Sequence, residues 1–109
     1  MPKKILDKKI KKFVDQYITL LEKDNFSVQK VFVFGSRIKG NFHHDSDIDV
    51  AVISSHLKRS FNDQIYLLNK AHQLKNSRFF IEPHGFHPKD FIDESPIVWE
   101  IKSTGIRIR

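Results

Sequence analysis

Residues 31–53 read VFVFGSRIKGNFHHDSDIDVAVI, and the fold turns on them. An apolar run, Val31-Phe32-Val33-Phe34, meets Gly35-Ser36, and after ten intervening residues Asp47-Ile48-Asp49 opens a second run, Val50-Ala51-Val52-Ile53. Unbroken apolarity predicts strands covered on both faces. A strand rises about 3.3 Å per residue with alternating side chains, so Asp47 and Asp49 point to one side, roughly 6.6 Å apart at the backbone. Two carboxylates converging there repel unless a cation sits between them, and a hard divalent ion with oxygen ligands is the usual solution. In two-metal phosphoryl transfer the ions lie about 3.5–4 Å apart, a span such a pair can bridge. D-x-D alone is more often solvated. Gly35 lets the backbone come close to a ligand, and the amides after it, with the Ser36 hydroxyl, suit an anion; in isolation the dipeptide is an ordinary turn. The combination is specific: strand, Gly-Ser, Arg37, Gly40, then Ser46-Asp47-Ile48-Asp49 at the head of the next strand.

Working outward, apolar residues Leu6, Ile10, Phe13, Val14, Tyr17, Ile18 and Leu21 recur at steps of three and four, predicting an amphipathic helix from about residue 3 to 23, broken by Asp24-Asn25. Downstream, Ser60-Phe61-Asn62-Asp63 has the form of a capping box and predicts a helix start, with Ile65, Leu68, Ala71 or His72, and Leu74 facing inward. Residues 78–82, RFFIE, form a third strand whose ladder Pro83 should stop. Pro88 and Pro96 suit first helical positions, Ser95 an N-cap and Gly105 a stop, giving a last helix over residues 96–103. The alternating end, Ile106-Arg107-Ile108-Arg109, can add a short edge strand, but its terminal position favours a loose tail. Trp99 and the phenylalanines are most simply core. The fold class is α/β (α+β), a small mixed sheet of three to five strands packed with helices.

With 109 residues the chain reads as one domain, 1–109, able to bury roughly 60–70% of its unfolded surface. Ten Phe residues argue against disorder, and the lack of Cys removes disulfides, thiol nucleophiles and zinc–thiolate sites. No apolar stretch approaches a membrane span and the start lacks a signal-peptide core, so a cytoplasmic protein without a membrane partner is expected. The net charge of +6 fits a polyanionic partner without choosing one. The lysines of the first dozen residues are spread around a helix as a solvated face, which makes nucleic acid a poor main partner.

The stretch GSRIKGNFHHDSDIDVAVI resembles the G-S-x10-D-x-D signature of the polymerase-β-like nucleotidyltransferase superfamily, and within it the minimal nucleotidyltransferases. The match is strong at Gly35, Ser36, Gly40, Ser46, Asp47 and Asp49 and extends more loosely over nearly the whole chain. The resemblance implies a polymerase-β palm-like fold, with Gly35, Ser36, Arg37 and Ser46 around the nucleotide phosphates. It makes Asp47 and Asp49 ligands of one or two Mg²⁺ ions, with a third carboxylate from a later strand. Glu82 is the best placed acid for that role, as a metal ligand or as a base; its plainer reading is a solvated strand-end glutamate. Arg37 either contacts a phosphate or acceptor, or pairs with Asp45 or faces solvent, and Lys39 is a weaker candidate. His43 and His44 are taken as exposed loop residues, and the pair His84 and His87 as loop rather than zinc site.

The implied reaction moves AMP from ATP to a hydroxyl. The chain has no room for a domain that binds an acceptor, so the resemblance points to a separate partner, a HEPN-domain ribonuclease toxin whose tyrosine an antitoxin adenylylates. Rivals stand beside this: an inactive antitoxin that neutralises its toxin by masking, and, behind it, an enzyme acting on a small hydroxylated substrate such as an aminoglycoside or a nucleic-acid-binding protein using its basic surface.

Overall fold

The computed structural model describes residues 6–35, 47–58, 60–74 and 79–109. Among these residues three α-helices surround a four-stranded mixed sheet of order β3-β2-β1-β4. Helix α1, Lys8–Glu22, buries Ile10, Phe13, Val14, Tyr17, Ile18 and Leu21 as one stripe, as the periodicity predicts. It starts later than expected. The Asp7 carboxylate accepts from Lys9 N at 2.7 Å, an N-cap that fixes Lys8 as the first helical residue.

Strand β1, Lys30–Phe34, pairs antiparallel with β2, Ile48–Ile53, and Phe34 lies opposite Asp49. Helix α2, Phe61–Leu74, begins at the predicted capping box: Asp63 N donates to Ser60 Oγ at 3.3 Å, and Ser60 N to Asp63 Oδ2 at 3.1 Å. Its inward phase agrees with the prediction at Ala71 and Leu74 and departs from it at Ile65 and Leu68. Leu67 and Ala71 are buried, whereas Phe61, Ile65 and Leu68 are exposed. Adjacent leucines at 67 and 68 allow two stripes, and packing against β3 selects the first: Gly85 lies so close that a Cβ there would be 2.7 Å from Leu67 Cδ1.

Strand β3, Ile81–Phe86, runs parallel to β2 and continues through Pro83. The prediction that Pro83 stops the ladder is therefore overturned, for a simple reason. Ile48 N bonds to Phe80 O and Ser54 N to Phe86 O, so the even-numbered residues of this edge strand face β2. Pro83 faces outward, where its missing N–H is not needed and its carbonyl accepts from Gln64 Nε2 at 2.8 Å.

After a 3₁₀ turn at Pro88–Asp90 comes α3, Pro96–Thr104, with Ser95 at the N-cap position but making no side-chain cap bond. Gly105 ends it by donating to Ile101 O at 2.9 Å. Trp99 is exposed on this helix, not core, because Val98 and Ile101 supply its buried face. The end of the chain is not a loose tail. Ile106–Arg107 forms β4, antiparallel to β1, and Ile108 N and Val31 N extend the pairing through Val31 O and Arg109 O. These bonds satisfy backbone groups that β1 would otherwise leave open.

Side-chain alternation divides the core. Val31, Val33, Ile48, Val50, Val52 and Ile81 face α1 and α2, while Phe32, Phe34, Ala51 and Ile53 face Phe91 and α3. Burying each fully enclosed Val or Ile stabilises the fold by roughly 1.5–3 kcal/mol before chain entropy is counted. Both faces of β1 and β2 are thus covered, as their continuous apolarity implies. The exception is the Asp49 end of the second face. No helix among the described residues is long and apolar enough to cross a membrane.

Candidate active site

Register builds the site. Phe34, Asp49 and Glu82 occupy one row across β1, β2 and β3, and partners in register project to the same face. Asp49 thereby comes beside Glu82, although 32 intervening residues separate them in sequence. His84, two residues beyond Glu82, points the same way by the period of the strand, and its Nε2 lies 3.1 Å from Asp49 Oδ1. The His84 ring packs edge-on against Phe34, with centroids 5.1 Å apart. One ligand atom from each of Asp49, Glu82 and His84 falls within 4.8 Å of the other two. Asp47 stands just before β2, exposed, outside this tight group but close enough for its charge to act on Glu82.

Gly35 completes the geometry. Its φ of +83° is a left-handed conformation, and a Cβ built there would be 2.2 Å from Asp49 Oδ2. Glycine is required twice, by the backbone angle and by the carboxylate lying against it. Ser36, Arg37, Lys39, Gly40, His43, His44 and Ser46, the residues expected around the nucleotide phosphates and in the loop, lie outside the described residues.

The acids are electrostatically frustrated. Partial burial first, then the negative charge of Asp49, push the Glu82 carboxyl above the ordinary glutamate range; a hydrogen bond with Asp49 and the charge of Asp47 act the same way, and His84 opposes them. A divalent cation would relieve that repulsion. Carboxylate oxygens and an imidazole nitrogen this close together are a donor set that fits one.

The structure thus brings Asp49 and Glu82 together, sets Asp47 at the rim, and adds His84, for which the sequence predicts a loop. The signal for His84 was present: it stands two residues after Glu82, on the same side of a strand, once Pro83 is allowed inside the strand. His87 has a separate task, its Nδ1 accepting from Lys89 N at 3.1 Å to cap the 3₁₀ turn.

The family model described as "Polymerase beta, Nucleotidyltransferase" matches residues 8–107. No curated protein matches the chain. Among solved structures, the chain is similar to a candidate nucleotidyltransferase from Sulfolobus solfataricus, 13% identical, over 91% of this chain and 78% of that one, with a TM-score of 0.59. It is also similar to a toxin-antitoxin structure with AMP-PNP, 22% identical, over 91% of this chain and 72% of that one, with a TM-score of 0.57. A mutant of the toxin-antitoxin MntA-HpeT, carrying two Asp-to-Glu changes, is 19% identical over 87% of this chain and 71% of that one, with a TM-score of 0.56. At these identities the likeness is one of fold, and it agrees with the mixed sheet and helices described above.

Proposed function

The chain belongs to the polymerase beta nucleotidyltransferase family, and from that premise we propose that it transfers AMP from ATP to a hydroxyl of a partner protein. The observation that carries the reading is the opposition of Asp49 and Glu82 on neighbouring strands, with the Gly35 backbone against Asp49. Asp47, Asp49 and Glu82 would hold Mg²⁺. When bound, the ion supplies positive charge that offsets the phosphates and the charge developing during transfer. Gly35, Ser36, Arg37 and Ser46 position the triphosphate. The acceptor oxygen bonds to the α-phosphorus as the bond to pyrophosphate breaks, and the hydroxyl proton passes to a Glu82 carboxylate oxygen that does not bind the ion.

The acceptor we propose is a tyrosine of a HEPN ribonuclease toxin, which makes the chain an antitoxin. Similarity of fold to two toxin-antitoxin structures, one of them with AMP-PNP, supports this choice. Masking without chemistry does not need Glu82 beside Asp49, and their adjacency supports the catalytic reading. Purified protein with Mg²⁺ and α-labelled ATP is expected to label the partner toxin, and Asp47→Asn or Asp49→Asn to stop it. Labelling that persists in both variants would overturn the site assignment; neutralisation that survives them without labelling would favour masking.

A further inference from the structure

The third member of the cluster is not an acid. His84 reaches it from the same strand as Glu82, and Phe34 braces its ring. We propose that His84 is a nitrogen ligand of the cation held by Asp49 and Glu82, and that it shifts the site's preference from Mg²⁺ toward first-row transition ions such as Mn²⁺. This rests on the reading above that the two carboxylates hold a divalent cation.

The argument is one of position and donor chemistry. The His84 side chain is 29% exposed and that of Asp49 23%, so both are partly enclosed and still open to an ion from solvent. The imidazole nitrogen is 3.1 Å from a carboxylate oxygen, and it belongs to a group of three donor atoms no more than 4.8 Å apart. Donors bound at roughly 2–2.3 Å to one ion are separated by less than about 4.6 Å, so small side-chain adjustments bring the three around a single cation. Mg²⁺ favours all-oxygen octahedral surroundings and gives up water reluctantly, whereas transition ions accept imidazole readily. A purely structural histidine would instead keep its hydrogen bond to Asp49 and leave the choice of ion unchanged.

Pulsed electron paramagnetic resonance on the whole chain with Mn²⁺ distinguishes the two. Directly bound imidazole gives a ¹⁴N modulation, expected in the wild type and absent in His84→Gln and His84→Asn. Calorimetry should show the Mn²⁺-to-Mg²⁺ affinity ratio falling in either variant. Mn²⁺ that binds in an Asp49-dependent way without the ¹⁴N signal overturns the role of His84 and leaves the proposed function standing. An unchanged affinity ratio in the variants does the same. No binding of either ion overturns both.

Discussion

Replacing Gly35 with alanine should destabilise the protein through two separable effects. A side chain at φ +83° carries left-handed strain of about 1–2 kcal/mol. The new Cβ would also lie 2.2 Å from Asp49 Oδ2 and 3.1 Å from its carboxyl carbon. That obstacle is the end of a rotatable side chain, so Asp49 swings away and loses its 3.1 Å contact with His84. For a partly solvated interaction of this kind the loss is about 0.5–1 kcal/mol. Together the effects reach about 1.5–3 kcal/mol, and at about 4–8 °C per kcal/mol for a domain of this size the melting temperature should fall on the order of 10 °C. In an Asp49→Ala background the second effect vanishes, so Gly35→Ala should cost only the strain. Denaturant unfolding of the wild type, both single variants and the double variant measures the difference as a coupling energy, expected near 0.5–1 kcal/mol. Equal costs in the two backgrounds would show that the approach of Gly35 to Asp49 has no energetic weight, and would refute the reasoning.

Two further predictions concern the scaffold. The Tyr17 hydroxyl, which burial keeps protonated, donates to Leu67 O at 2.8 Å and ties α1 to α2, so Tyr17→Phe should lose about 1 kcal/mol and lower the melting temperature by about 4–8 °C; an unchanged value would count against the tie. The Arg109 guanidinium hydrogen-bonds Glu22 and holds its carboxyl below the ordinary value of 4.5. A lowered acid contributes stability that is complete above its ordinary value and fades as pH falls through the folded one. The melting-temperature gap between wild type and Glu22→Gln should therefore shrink from pH 6 to pH 3, starting from no more than about 1 kcal/mol for so exposed a pair, and a gap independent of pH would reject the linkage.

Strands β1 and β2, helix α1 and the capping box at Ser60 were legible because each rests on a local rule: apolar continuity, steps of three and four, and a reciprocal side-chain cap. The same locality explains the misses. Whether Leu67 or Leu68 turns inward depends on where β3 approaches α2, which no periodicity within the helix states. A proline is read as a strand breaker unless the strand is known to be an edge with that residue facing out, so the run ended at Glu82 and His84 was assigned to a loop. Ile106 and Arg107 form a strand only because β1 offers an open edge. In the candidate site, the D-x-D spacing and Gly35 could be read directly, but the approach of Glu82 depends on parallel register set through a helix.

Among the described residues, Pro83 and β4 each make one rim of the sheet a poorer template for a further strand. A foreign strand seeking to extend the sheet beyond β3 would meet a residue with no hydrogen to donate, whose carbonyl already serves Gln64. Beyond β1 it would find the position taken by Ile106 and Arg107, themselves too short to template another chain. Both features that sequence rules misjudge thus work against strand-to-strand pairing with another chain.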